Sequence, residues 1–340
     1  MIVGERVRLV LPKIVVFMVI GGLIGVVNSM SQSDDARGVF RSLISGGLIG
    51  VGVSSLSMFV IEAPGSRLAN ASFATTVAVR AVVYLVVFLA AIALSQLIVP
   101  HRPAGFSISR ADILFCFAAT FVVSFVFEVN SLIGQNVLLA FVTGRYHRPR
   151  VEERVFLIMD MKGSTAAAER LGEVGFHRLL NRLIGDLSAP IALRGGEIHK
   201  YVGDELIATW TLAAGVKNAA CVRACIDAIE RMAALGPDYE RAFGAAVQIR
   251  AGLHCGPVVA GEMGSVKKEI AFLGDTLNTA ARLVDACRDI GETVIASADL
   301  LDRLALPAGL AVRSLGPVKL RGKQQPVELR ALDPLPRPMS

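Results

Sequence analysis

Charge is scarce in this chain. Asp, Glu, Lys and Arg make up only 19% of 340 residues against 53% hydrophobic ones. That balance excludes an intrinsically disordered chain and is too apolar for an ordinary soluble domain. Aromatics are thin as well, with one Trp and four Tyr. The net charge of +6 comes without a basic stripe interleaved with aromatics, so no nucleic-acid partner is expected. The five cysteines (116, 221, 225, 255 and 287) lack regular spacing, which speaks against a disulfide framework and a zinc site. Cys221 and Cys225 share a helix face and read as small core residues in a reducing compartment. Internal repeats and low-complexity tracts are missing too.

What is present divides in two. The first 142 residues hold nearly all the long apolar runs. Four of these, at 12–30, 40–61, 77–99 and 111–133, are near the ~20 residues a bilayer needs. Arg6, Arg8 and Lys13 could flank a signal peptide, but the first run is long for one and no small-residue cleavage site follows. These residues before the first span, and Arg145, Arg148, Arg150 and Arg154 after the last, place both termini in the cytoplasm. A multi-pass protein of the cell inner (plasma) membrane is expected, with membrane lipid as a partner and an unknown membrane signal. Gly21, Gly22, Gly25, Gly46, Gly47, Gly50 and Gly52 suit close helix packing. The fourth run meets Glu128, which either lies within the bilayer or ends it, leaving 131–142 as an amphipathic helix on the inner surface; the second reading is preferred. A basic juxtamembrane linker, 143–154, follows.

From Val155 strand and helix patterns alternate, which suits an α+β sheet with helices on one face. The expected strand Val155–Asp160 ends in a carboxylate. Gly163-Ser164-Thr165 then opens helices at about 164–172 and 175–189, with backbone N–H groups free to meet phosphate. Gly195 to Trp210 reads as two strands joined at Val202-Gly203-Asp204-Glu205. A strand-end Asp160 beside a hairpin-tip Asp204 is a geometry for divalent metal, since two such carboxylates repel unless cations lie between them. A strand at 246–254, a second hairpin around Gly261 and a helix at 276–289 carrying Asn278 and Arg282 on one face complete the pattern. The tail 333–340, with three prolines, is expected to be disordered.

Four stretches together resemble the class III adenylyl/guanylyl cyclases: Phe156 to Thr165, the Lys200-x-x-Gly203-Asp204 hairpin, Gly252-Leu253-His254-Cys255-Gly256, and Gly274 to Arg282. They fall in family order. The resemblance implies a ferredoxin-like catalytic domain at 155–332, C-terminal to a four-helix transmembrane domain at 1–142. It implies two Mg²⁺ or Mn²⁺ per site, held by Asp160, Asp204 and the Met161 carbonyl. ATP would be closed to 3′,5′-cyclic AMP, with Arg282 on the phosphoryl oxygens and Asn278 orienting the ribose. Backbone groups of Gly163, Ser164 and Thr165 would hold the terminal phosphates, assisted by Arg321. In the family, metals and base-reading groups come from different subunits, so a homodimer is implied.

Lys200 would donate to N1 of adenine. Where similar cyclases carry Asp or Thr to receive the amino group, this chain has Ala271, leaving backbone carbonyls near Phe272. A guanylate or mixed-specificity cyclase therefore stays open. So does a membrane receptor whose cyclase-like domain only binds nucleotide. The Gly203-Asp204-Glu205 turn faintly echoes diguanylate cyclases, but the Asn278/Arg282 helix does not belong to that pattern. Ser164, where many members carry Phe, removes no chemistry. His254 reads as a core residue.

Overall fold

The computed structural model describes residues 3–31, 36–56, 72–99, 121–122, 125–126, 129 and 137–334. Two compact units divide the chain between Ile133 and Gly134.

The first unit contains helices α1 (Val3–Ser31), α2 (Ala36–Leu56) and α3 (Phe73–Ile98). Among the described residues two helices, α2 and α3, are long and apolar enough to cross a membrane, while the apolar part of α1 is the shorter Ile14–Val27. Nearly all of the expected fourth span, and Glu128 with it, lies outside the described residues. Small residues do bring α1 and α2 together. A Cβ on Gly21 would strike the Gly46 carbonyl, one on Gly25 that of Ser42, and one on Gly50 that of Phe17. Backbones approach this closely only where side chains are absent.

The second unit is a mixed α+β domain around an eight-stranded sheet. The strands are β1 (Arg150–Met161), β2 (Glu197–Val202), β3 (Glu205–Thr211), β4 (Ile249–Met263), β5 (Glu269–Leu273), β6 (Val294–Ser297), β7 (Leu310–Val318) and β8 (Val327–Pro334). Its helices are α4 (Val137–Val142), α5 (Ser164–Leu193), α6 (Leu212–Val216), α7 (Ala220–Ala234), α8 (Gly236–Phe243), α9 (Asp275–Ile290) and α10 (Ala298–Leu301). The sheet runs β2-β3-β1-β4-β6-β8-β7, with β5 paired to β4. Its first four strands, joined through α5 and α7, carry the expected ferredoxin-like order.

Val155 to Met159 are all fully buried, as an unbroken apolar run in a central strand should be. Alternation sends Val155, Leu157 and Met159 into a core with α5 and α7. Phe156 and Ile158 face the other way, against Ala280 and Val284 of α9. Helices therefore cover both faces, not one: α9 is amphipathic and needs a surface for its own buried stripe.

Other boundaries also differ from expectation. The first strand starts at Arg150, because 150–154 pair with 256–260 of β4. Arg154, counted among the basic flank, is buried within the domain. The two helices expected after Gly163 are both present within Ser164–Leu193, parted at Gly172, whose φ 67° and ψ 168° are not helical. Strand β4 passes through Gly261 without turning and reverses beyond Met263. The last strand reaches Pro334; the rest of the expected disordered tail lies outside the described residues.

Candidate active site

Asp160 is the penultimate residue of β1, and Asp204 sits in the two-residue turn between β2 and β3. Pairing of β1 with β3 brings strand end and hairpin tip together, with Met159 opposite Leu206 as the last pair of the ladder. Gly203 turns the chain there at φ 63°, in the left-handed region that side chains avoid. The two carboxyls lie within hydrogen-bonding reach. Burial first, and the Asp204 charge second, push the Asp160 carboxyl up to about 6. Glu205 is raised as well, by burial and then by Asp160, Asp204 and Asp285. Arg250, opposite Asp160 in the ladder, and Arg288 pull the other way. Anionic charge is thus crowded at one end of β1 and under-compensated.

Such a pair fits a hard divalent cation. Among the described residues no three His, Cys, Asp or Glu side chains are grouped to cage a metal by themselves. The pair needs further oxygens from backbone, water or phosphate, which suits Mg²⁺ or Mn²⁺ rather than zinc. The Met161 side chain is buried in the core, so only its carbonyl could join.

Directly after Asp160 and Met161, Gly163 adopts φ 73° and caps α5 without a side-chain hydrogen bond. Nothing lies within 4 Å of where its Cβ would be, so the residue serves the turn and not the packing. The first backbone N–H groups of α5, at Ser164 and Thr165, therefore have no side-chain cap from this position.

A second group of residues gathers elsewhere. Lys200 Nζ on β2 lies 3.0 Å from Glu269 Oε1 on β5. Beside them, Phe272 packs on His199 and Phe156, with ring centroids 4.9 and 5.8 Å away. Arg154 lies over the same ring at 4.4 Å. It donates to Tyr146 Oη (2.8 Å) and Glu152 Oε2 (3.1 Å). Burial chiefly drives His199 down to about 4. Ala271 is buried and brings no polar side chain.

The third group is at the start of α9. Asn278 is exposed and Arg282 half-buried. Arg282 Nη1 is 3.7 Å from Asp275 Oδ1, and Lys323 Nζ is 2.8 Å from Asp275 Oδ2. Arg321 is exposed in the turn between β7 and β8. Asp275 thus collects Lys323, not Arg321, beside Arg282. The structure does not bring Arg282 to Asp160, whose cationic neighbours are Arg250 and Arg288.

Sequence reasoning missed Glu205, Glu269 and Asp275. Glu205 adjoins a chosen carboxylate and was findable. Asp275 stands in the Gly274 motif, but Glu269 is 69 residues from its partner and carries no sequence signal. His254 is buried with Nδ1 2.8 Å from Ser297 Oγ, and burial pushes it down to about 4. It is the core residue the sequence suggested.

Residues 148–329, more than half the chain, match the family model for the adenylate and guanylate cyclase catalytic domain. The chain is 38% identical over 220 residues to Adenylate cyclase 2 of Rhizobium meliloti (strain 1021). That match covers 65% of this chain and 61% of the relative's length. Among solved structures, a bacterial light-regulated adenylyl cyclase aligns with TM-score 0.56 at 22% identity, covering 66% of each chain. The adenylyl cyclase CyaB from P. aeruginosa aligns with TM-score 0.50 at 22% identity, covering 57% of this chain and all of that one. The match to the family model shows the family and the two structures show the fold. The chain belongs to the adenylate and guanylate cyclase catalytic-domain family.

Proposed function

We propose that the chain is a membrane-anchored adenylate cyclase that closes ATP to 3′,5′-cyclic AMP in a site shared by two copies. The observation that carries this reading is the meeting of Asp160 and Asp204 beside the uncapped start of α5. In the reaction the ribose 3′-hydroxyl attacks the α-phosphorus, its proton leaves, and pyrophosphate departs with the electrons of the broken P–O bond. Asp160, Asp204 and the Met161 carbonyl would hold Mg²⁺ or Mn²⁺; bound there, the cations supply hydroxyl acidification and charge neutralisation. Backbone N–H groups of Gly163, Ser164 and Thr165 bind the terminal phosphates, with Arg321 assisting. Arg282 forks onto the α-phosphoryl oxygens and Asn278 orients the ribose. Lys200 donates to adenine N1 next to Phe272.

The separation of Arg282 from the acidic pair supports a site in which one copy supplies the carboxylates and the other Arg282. The two apolar helices α2 and α3 support the membrane anchor, and the arginines near the second unit's start support a catalytic domain on the cytoplasmic side of the inner membrane. A guanylate or mixed-specificity reading rests on Ala271 alone.

The test is purified full-length protein with Mn²⁺ and either ATP or GTP, scored for cyclic products. Cyclic AMP from ATP is expected, and no cyclic nucleotide from either base would leave the nucleotide-binding receptor in its place. Asp160→Ala and Asp204→Ala should each fall below about a hundredth of wild-type turnover while staying folded, since transition-state charge is then unbalanced.

A further inference from the structure

We propose that this protein binds a small monocarboxylate with an apolar body in a cavity at the end of β1, outside the three groups of residues described above. The cavity measures about 250 Å³, below the roughly 300 Å³ at which pockets for drug-sized ligands begin. It suits a small ligand and not a nucleotide. Lys162, Gln248 and Thr293 form its polar end. Ile229, Met232 and Ala233 form an apolar wall, since residues three and four apart share one face of α7.

Backbone hydrogen bonds hold the polar end in place. Lys162 N–H donates to the Gln248 carbonyl at 2.8 Å, and Ala251 N–H donates to the Thr293 carbonyl at 2.8 Å, so all three residues are tied to β4. Lys162 Nζ is 3.4 Å from Thr293 Oγ1, long for a hydrogen bond. Among the described residues no carboxylate pairs with this ammonium. A lysine that served only solubility would trail into water. This one is half-buried and lies against Thr293.

The lining decides what fits. The ammonium can donate to one carboxylate oxygen, and the Thr293 hydroxyl or the Gln248 amide to the other. A neutral ligand would leave the ammonium without a counter-charge, and a second cation would be repelled. Inorganic phosphate would leave the α7 wall uncovered, whereas a short hydrocarbon body covers it. Lys162 stands between Met161 and Gly163, so an occupant also bears on the turn that would present the metal-binding carbonyl and the phosphate-binding N–H groups. That coupling, unlike the site itself, rests on the cyclase reading above.

The probe is hexanoate, measured by equilibrium binding to the purified full-length protein in chelator. Acetate, which lacks the apolar body, and hexanamide, which lacks the charge, are the controls. Saturable binding of hexanoate is expected, at least about tenfold tighter than either control. Lys162→Gln should weaken it at least about tenfold. Ala233→Leu fills the cavity from an exposed position on α7 and should weaken it as much without lowering the melting temperature. The proposal is overturned if wild type shows no saturable binding. It is overturned equally by an affinity within about twofold of wild type in either variant, which would put the anion or the hydrocarbon elsewhere. Should Lys162→Gln fail to fold, hexanamide tests the same charge on wild type, and an affinity equal to that of hexanoate sinks the assignment. By linkage, Mn²⁺ and hexanoate must change each other's affinity by one factor, and a tightening of about fivefold or more is expected. An affinity unchanged by Mn²⁺ would overturn the coupling. A protein that binds hexanoate in chelator yet cyclises neither ATP nor GTP would refute the cyclase reading and leave the site standing.

Discussion

Asp160 carries the most exposed physical signature in the domain, a carboxyl held at about 6 by burial and by Asp204. A raised folded pKa means the native state holds its proton longer than the unfolded chain does. That contribution to stability is complete below the ordinary value near 3.8 and is lost as pH rises through about 6. In chelator, then, Asp160→Asn should be more stable than wild type at pH 7.5 and no different near pH 4. Discounted for the half-open site, the gain is on the order of 1 kcal/mol, or about 2–4 °C in a melt. Adding Mn²⁺ should raise the wild-type midpoint and leave the variant's unchanged. An Asn variant less stable at pH 7.5 in chelator would refute the crowding of charge. What was legible at this scale follows the same physics. Asp160 and Asp204 mark strand end and turn, positions that local sequence reveals, whereas the reach of Glu269 to Lys200 depends on how β5 folds beside β2.

At the scale of elements, the hairpin β2–β3 delivers Asp204 and depends on its turn. Gly203 is in the left-handed region at φ 63°, yet a Cβ there would touch nothing within 4 Å. Gly203→Ala therefore isolates backbone strain from packing. It should cost about 1 kcal/mol and move Asp204 away from Asp160, so turnover should fall about tenfold or more with little change in far-UV circular dichroism. Unaltered activity would mean the tip is not held where the reaction needs it. The Gly-Asp pair made this hairpin readable, as the apolar run Val155 to Met159 made β1 readable. Less readable was α9, whose place on the second face follows from the pairing of β1 between β3 and β4, a tertiary fact. The long β4 was cut short because its glycines read as turns, while in the structure its ladders with β1 and β5 carry it through Gly256 and Gly261.

The whole molecule raises the question of how Asp160 and Arg282 can serve one nucleotide when Arg282 is turned to Asp275 and Asp160 to Arg250 and Arg288. On the proposed reading, two copies related by a twofold axis would answer it, each giving carboxylates to one site and a guanidinium to the other. Asp160→Ala and Arg282→Ala chains should then each be nearly inactive alone. In a mixed dimer one site carries both lesions and the other is built wholly from intact residues. With independent sites, such a dimer should recover up to about half of wild-type turnover. A random one-to-one population, in which half the dimers are mixed, should recover about a quarter. Co-expression with two different affinity tags, followed by sequential purification, isolates the mixed species without relying on subunit exchange. If that purified heterodimer is as inactive as the single variants, carboxylates and arginine act within one chain and the shared site is wrong. Recovery near half, with none when both lesions sit on one chain beside a wild-type partner, is the signature that only an interfacial site produces.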